Sequence, residues 1–398
     1  MRVSHVALDD FRSYRHVVVE FPRGTTVLVG RNGQGKTNLV EAVAYLSSFS
    51  SHRVAADTAL VRVPPADSGE VPPGGSVIRV KLVTGEGSSI DEGGKDHEEG
   101  SVREQVIELE IVRGRANRAR LNRTQVRPRD IVGVVRTVVF APEDLSIVRG
   151  DPAGRRQFLD EVAIQLHPMT AQVKSDFEKV ARQRGALMKQ AAAARRRGRQ
   201  ADLSTLEVWD QRFADLSARL TAARLEVVEA LKGPVAEAYD KVADSPRELT
   251  LALVPSVQGG TAPNAVLEAL AGVRDREVER GVNLVGAHRD DLELILGGLP
   301  VRGYASHGES WSVALALRLG SFEVLGVGGE EPILILDDVF AELDRKRREG
   351  LAKLVADADQ VLVTAAVPED VPELLDGYRL HVEWDAQVGT TVQEDGDA

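Results

Sequence analysis

The sequence predicts an α/β fold: a sheet with parallel strands covered by helices, interrupted midway by a helical lobe. Three observations carry that prediction. From residue 310 onward, helical and buried-strand text alternate at 310–325, 333–336, 345–355 and 361–364, as expected of a parallel sheet buried on both faces. Near the start, an apolar strand runs through a glycine-rich turn into a helix. Between these regions Leu206, Trp209, Phe213, Leu216, Leu220, Ala223 and Val227 alternate steps of three and four residues, a heptad seam.

Taken in order, 3–8, 17–21 and 25–29 read as strands and 38–46 as a helix. Pro, Gly, Ser and acidic residues then dominate 64–100, a composition that buries little and predicts a solvated loop. Strand text returns at 106–112 and 134–140, and from Asp151 the period becomes helical. The seam helix is expected to open on the capping box Ser204-x-x-Glu207 and to stop at Gly233-Pro234. A preceding helix over 169–194 carries Val173, Phe177, Val180 and Leu187 in matching phase. The two predict an antiparallel hairpin with arms about 40 Å long. A strand at 249–254, a helix at 265–281 and a strand at 292–296 lead into the final alternation. The last residues, 393–398, read as an acidic, frayed tail. The domain expectation is therefore 1–150, a helical lobe over 151–256, and 257–398.

Composition narrows the function. With 398 residues, 43% hydrophobic and 28% charged, the chain is expected to fold as more than one lobe. Its apolar runs are too short to span a bilayer. Zero cysteines exclude disulfides, thiolate metal sites and cysteine nucleophiles, and make the cytoplasm the expected compartment. A net charge of −11 taken whole argues against a polyanionic partner. Its distribution argues otherwise. Residues 357–398 hold eleven acids against Arg379, a net of −10, and 86–99 hold six against Lys95, a net of −5; the rest of the chain is at +4.

The chemistry begins at Gly30-Arg31-Asn32-Gly33-Gln34-Gly35-Lys36-Thr37, a complete G-x-x-x-x-G-K-[ST] loop between strand and helix, followed by Asn38. Its glycines let backbone amides face phosphates, Lys36 would reach the β- and γ-phosphates of ATP, and Thr37 would hold Mg²⁺. About 300 residues on, Ile333-Leu334-Ile335-Leu336 predicts a strand that delivers Asp337 and Asp338 to the ligand-binding edge of the sheet. Asp337 would complete the Mg²⁺ shell, and Asp338 would orient or deprotonate the attacking water. Ser306-His307-Gly308-Glu309-Ser310 opens a helix, which fits either a second phosphate device or a simple cap. Ala341-Glu342-Leu343-Asp344 follows the carboxylates. His288 and Asp291 lie three apart with no third ligand in sight, so a structural or nucleotide-sensing role is expected. Trp209 and Phe213 hold the seam spacing and are expected in the core.

This order of motifs resembles the ABC-type ATPase heads of the SMC-like class, and specifically the RecF family of bacterial recombination mediators. Gly30–Thr37 looks like the family's Walker A, Ser306–Ser310 like its signature, Ile333–Asp338 like its Walker B and Ala341–Asp344 like its D-loop. Residues 10–14, 140–145, 155–160 and 288–292 also resemble RecF text, so the likeness spans about residues 2–365. It implies an ABC-type P-loop head with a mixed sheet and a short, coiled-coil-like helical insertion. It implies ATP and Mg²⁺ as cofactors, with Ser306, Gly308, Glu309 and Asp344 added to the nucleotide-contacting set and, by analogy, Arg12–Tyr14 contributing to the nucleotide pocket. One chain carries one Walker A and one signature, so the resemblance implies a homodimer with two ATP sandwiched head to tail. The implied role is slow, DNA-stimulated hydrolysis in recombinational repair and replication restart, on double-stranded DNA at junctions with single-stranded gaps, promoting RecA loading with RecO and RecR.

The sequence departs from related heads in places. Glu309 stands where most ABC heads have Gln, and Asp338 where they have Glu, which RecF-like proteins share. No histidine follows 361–364, and Ala287 replaces the family's usual Pro. Phosphate contacts would come from two basic segments. Residues 112–136 carry Arg113, Arg115, Arg118, Arg120, Arg123, Arg127, Arg129 and Arg136 against Asp130, a net of +7. Residues 177–200 carry Lys179, Arg182, Arg184, Lys189, Arg195, Arg196, Arg197 and Arg199 against Glu178, again +7. Either set could grip a backbone without reading bases, or be a solvated face. Two other readings stand beside this one: an SMC-like clamp in chromosome organisation, and a small-molecule P-loop enzyme, which would need neither signature nor dimer.

Overall fold

The computed structural model describes residues 1–51, 53–54, 56–65, 69–85, 102–197, 205–243 and 247–394. The chain forms two compact units, Met1–Asp144 with Glu237–Pro246 and Trp311–Ala398, and Leu145–Ala236 with Arg247–Ser310.

The first unit contains two six-stranded sheets. One is mixed, in the order Gly389–Glu394, Tyr378–Asp385, Gly24–Val29, Gln360–Ala365, Ile333–Asp337, Thr137–Phe140. Its strands run parallel except Gly389–Glu394, which closes an antiparallel hairpin. Every residue of Ile333–Asp337 and Gln360–Ala365 is buried, which explains the apolar runs 333–336 and 361–363 within them. The other sheet is antiparallel, in the order Tyr14–Glu20, Arg2–Phe11, Gly75–Thr84, Arg103–Val112, Arg118–Leu121, Thr124–Val126. Val6 and Leu8, Ile78 and Val80, and Ile107 and Leu109 from three of its strands share one core with Leu39 and Val43 of the helix Lys36–Ser48 and with Leu362.

Two expectations fail in this unit. The stretch read as loop contains the strand Gly75–Thr84, whose Ser76, Ile78, Val80 and Leu82 are buried while Arg79 and Lys81 are not. That period of two was masked by the Pro- and Gly-rich text before it and the acidic text after it. Residues 66–68 and 86–100 of the expected loop lie outside the described residues. The acidic segment from 357 is not free chain either: 357–394 supplies three strands of the mixed sheet, and Asp359 pairs with Arg23; of the expected tail, 395–398 lie outside the described residues.

In the second unit, the helix Met169–Arg196 and the seam helix Leu206–Val242 pack antiparallel. Phe177 and Val180 meet Phe213 and Leu216, and Met188 and Ala191 meet Leu206. A third helix, Pro263–Arg280, adds Val266, Leu270 and Val278 to the same clusters. Its apolar face explains why residues beyond 256 pack with the helical unit. A three-stranded antiparallel sheet, Leu299–Pro300, Asp291–Leu296, Leu249–Val254, completes the unit. The seam helix does not stop at Gly233-Pro234 but continues to Val242. Pro234 removes one ladder hydrogen bond, yet Val235, Ala238, Tyr239 and Val242 beyond it are buried at helical spacing, and that burial carries the helix on. The capping serine expected at 204 lies outside the described residues.

Candidate nucleotide-binding site

The parallel register brings three strand ends together. Asp337 aligns with Thr364, and Ala365 with Val29, so the loop after Val29 and the carboxylates at 337–338 emerge on one edge of the sheet. Thr37 Oγ1 donates to Asp337 Oδ1 at 2.9 Å, joining residues 300 positions apart. Lys36 is buried, and its Nζ donates to the Gly30 carbonyl at 2.7 Å. Arg31, Asn32 and Gly33 are exposed at the loop's tip. Asp338 is half-buried with φ 49° and ψ 17°, a left-handed turn directly after the strand.

The loop is held from behind by the expected stretch Arg12–Tyr14 and Asn38, and by Thr390, Trp384 and Glu41, which sequence reasoning did not assign. Gly35 caps the helix at φ 111°, and a Cβ there would lie 2.8 Å from both Ser13 Oγ and Thr390 Oγ1. Only glycine fits. Tyr14 donates its hydroxyl to the Gly35 carbonyl at 3.0 Å, and Thr390 Oγ1 donates to the Gln34 carbonyl at 2.9 Å. Asn38 Nδ2 donates to Ser13 Oγ at 2.8 Å, and the Trp384 amide donates to Gln34 Oε1. Arg12 forks onto the buried Glu41 at 2.6 and 2.9 Å, where Ser51 also donates. Arg12–Tyr14 thus supports the loop and its helix. No local signal marks Thr390 or Glu41, because each reaches the loop only through tertiary structure.

These residues fit a magnesium-bound polyphosphate. Gly33 has φ 84°, and a Cβ built on it would meet nothing within 4 Å, so the loop's turn faces open space. The donor set of ammonium, threonine hydroxyl and carboxylate is oxygen-based where it would meet the ion, as Mg²⁺ requires, and Mg²⁺ takes few protein ligands beside phosphate and water. Among the described residues no group of three His, Cys, Asp or Glu side chains could cage a metal by itself. Lys36, Thr37 and Asp337 would hold the phosphates and the ion.

The remaining motif residues sit at helix starts. Ser306 and Glu309 form a reciprocal capping box: the Ser306 amide donates to Glu309 Oε2 at 2.8 Å, and the Glu309 amide to Ser306 Oγ at 3.2 Å. The box explains why Glu serves at 309. Glu309 also pairs with Arg247, and its carboxyl is held below the usual range, chiefly by the Ser306 amide. Ser306 is exposed and Gly308 half-buried. Asp344 caps the helix Arg345–Val355 by accepting from the Arg347 amide at 3.0 Å.

Several cationic candidates are engaged elsewhere. Arg184 is fully buried: Nε donates to Asp210 at 2.7 Å, the guanidinium bonds Glu277 and Asn283 at 2.6 Å each, and it lies over the Phe213 ring. It braces three elements of the second unit and is withdrawn from the DNA-contacting set. Arg120 pairs with Glu108, and Arg118 with Glu110, across neighbouring strands. That pairing extends a ladder over the sheet, His16 to Asp9 to Arg79 to Glu108 to Arg120. Arg113 is half-buried, whereas Arg115, Arg123, Arg182, Arg195, Arg196 and Arg197 are exposed. Arg199 lies outside the described residues. His288 packs against Phe177 and Phe213, and burial pushes its pKa down to about 4. Asp291 is forked by Arg155 at 2.7 and 2.9 Å, so the pair is structural. Phe213 belongs to the core, and the half-buried Trp209 packs against it.

A family model described as the RecF/RecN/SMC N terminal domain matches residues 2–381. The DNA replication and repair protein RecF of Streptomyces avermitilis is 50% identical over 389 residues, covering 96% of this chain and 98% of the relative. The protein of the same name from Frankia alni is 50% identical over 390 residues, covering 95% and 97%. Among solved structures, the recombination mediator protein RecF-ATPrS in the RecFOR pathway superposes with a TM-score of 0.80 at 24% identity, covering 99% of this chain and 98% of that one. An SmcHead bound to the C-winged helix domain of ScpA reaches 0.53 at 14% identity, covering 99% and 98%. Those two likenesses establish the fold, an ABC-type head with a mixed sheet. The match across most of the chain, with identity at half the aligned positions, places the chain in the RecF family.

Proposed function

We propose that the chain is an ATP-dependent DNA-binding protein of replication and recombinational repair. It binds double-stranded and gapped DNA as an ATP-induced homodimer, hydrolyses ATP slowly under DNA stimulation, and promotes RecA loading with RecO and RecR. The observation that carries the reading is the Thr37–Asp337 hydrogen bond, which joins the two distant motifs that would hold phosphate and Mg²⁺. Family membership supports the repair role, as do relatives named for DNA replication and repair and a RecF-ATP structure of the same fold.

In this reading Mg²⁺ supplies charge neutralisation on the transferred phosphoryl group. Lys36 turns its ammonium from the Gly30 carbonyl to the β- and γ-phosphates. Thr37 and Asp337 hold the ion, and Asp338 accepts a proton from the attacking water. Ser306 and Gly308 of a second copy cover the γ-phosphate at their helix start, with the Ser306 amide and hydroxyl released from the capping box with Glu309. Nucleotide then becomes part of the dimer interface, so binding drives association and hydrolysis reverses it.

Sedimentation with and without Mg-ATP tests the sandwich. Wild-type protein is expected to dimerise in ATP, Ser306→Arg to stay monomeric while still binding nucleotide, and Lys36→Arg to keep some binding but lose turnover. Unchanged ATP-induced dimers of Ser306→Arg contradict the arrangement.

A further inference from the structure

The strand Gln360–Ala365 lies between the loop strand Gly24–Val29 and the carboxylate strand Ile333–Asp337. Thr364 is therefore the side chain that the sheet places beside Asp337. It is 1% exposed, and a hydroxyl removed from water needs protein partners. Thr364 Oγ1 donates to Asp337 Oδ1 at 2.7 Å and lies 3.4 Å from Asp338 Oδ1. The same oxygen accepts the Asp338 amide at 2.9 Å. One hydroxyl thus touches both acids, with its proton on one and its lone pair on the other's backbone.

The backbone contact matters because Asp338 is left-handed at φ 49°. That region is disfavoured for a residue with a Cβ and persists only where surrounding contacts enforce it. It redirects the chain at the strand's end, so the carboxylate of Asp338 leaves the edge of the sheet in a direction that an extended residue would not give. Thr37 and Thr364 both donate to the same oxygen of Asp337.

We propose that Thr364 is a positioning residue that locks both acids together. Its proton fixes the rotamer of Asp337 beside Thr37, and its oxygen anchors the turn that aims Asp338. The inference rests on the ATP-hydrolysis reading of the site, and it supplies a fixed link at the strand where many ABC heads are followed by a histidine.

Thr364→Val keeps the branched shape and deletes the hydroxyl, Thr364→Ala repeats the deletion with less bulk, and Thr364→Ser restores the hydroxyl. Amide hydrogen exchange at Asp338 in nucleotide-free protein is the first readout, and steady-state ATP turnover with binding of a fluorescent ATP analogue is the second. The deletions are expected to speed exchange at Asp338 by about tenfold or more and to lower kcat on the order of a hundredfold, while nucleotide affinity stays within about threefold. Thr364→Ser is expected to recover both. Wild-type exchange and kcat in the deletion variants overturn the proposal, as does a fall in nucleotide affinity equal to the fall in kcat, which marks general packing. Absence of turnover in the wild type instead overturns the hydrolysis reading, and the exchange measurement then still decides whether Thr364 holds Asp338.

Discussion

Two segments of this chain carry the same net charge of +7, 112–136, which includes two strands of the antiparallel sheet, and 177–200, of which 177–196 lie on a helix of the second unit, and the fold uses them differently. On the sheet, neighbouring strands place acids opposite arginines, so Arg118 and Arg120 are matched by Glu110 and Glu108. On the helix, one arginine in the segment turns inward, Arg184, and meets its acids in the core. Arg182, Arg195, Arg196 and Arg197 stay exposed, although Arg195 approaches Asp275 at 3.7 Å. The difference teaches that a charge sum along a sequence says little about surface potential until the partners across the fold are known. A strand's partners lie on other strands, whereas a helix can turn a single residue into the core and leave its neighbours in water.

The largest test of this contrast is Arg184→Ala. It leaves Glu277 and Asp210 buried without the cation that joins them, and breaking such a pair costs about 3–5 kcal/mol. Urea unfolding is expected to report a destabilisation of that size, and a change within about 0.5 kcal/mol would place Arg184 on the surface after all. Next comes a pair of DNA-binding variants. Arg195→Ala with Arg196→Ala and Arg197→Ala is expected to weaken duplex binding and to flatten the salt slope by roughly 0.9 for each phosphate no longer neutralised. Arg118→Ala with Arg120→Ala is expected to leave both nearly unchanged. Equal effects from the two sets would break the comparison.

A smaller effect is expected from His288. Its pKa is about 4 in the fold, lowered chiefly by burial, with Arg289, Arg156 and Arg184 adding to the shift, against about 6.5 unfolded. The unfolded chain therefore binds the proton first. Stability from this group is complete above about pH 6.5 and declines as pH falls toward 4. His288→Phe is expected to flatten that part of the stability profile, and an unchanged slope would assign the acid sensitivity to the neighbouring carboxylates.

The same contrast explains what could be read in advance. The loop Gly30–Thr37 and the strand ending at Asp337 were legible because each is a local pattern with a physical reason, glycines for the turn and continuous apolar text for a strand buried on both faces. Thr364, Thr390 and Glu41 were not, because each acts through a neighbour that the tertiary fold supplies. The strand Gly75–Thr84 was hidden by its flanks, and the helix through Pro234 by the rule that proline ends helices, which buried residues on the far side outweighed. At Ser306 the local reading left a cap and a phosphate device open. The capping box occupies the Ser306 side chain with the Glu309 amide and the Ser306 amide with the Glu309 carboxylate, so a phosphate would have to compete with or open it.

The central claim is that nucleotide bound between the Walker residues controls a grip on DNA phosphates. Duplex-DNA affinity measured across a salt series, with and without Mg-ATP, tests it most directly. The account predicts markedly tighter binding in ATP, a log–log salt slope that steepens by about 0.9 for each further phosphate neutralised, disappearance of the ATP effect in Ser306→Arg, and its persistence, in proportion to the nucleotide still bound, in Lys36→Arg. Affinity that is indifferent to ATP, together with a shallow salt slope, would contradict it.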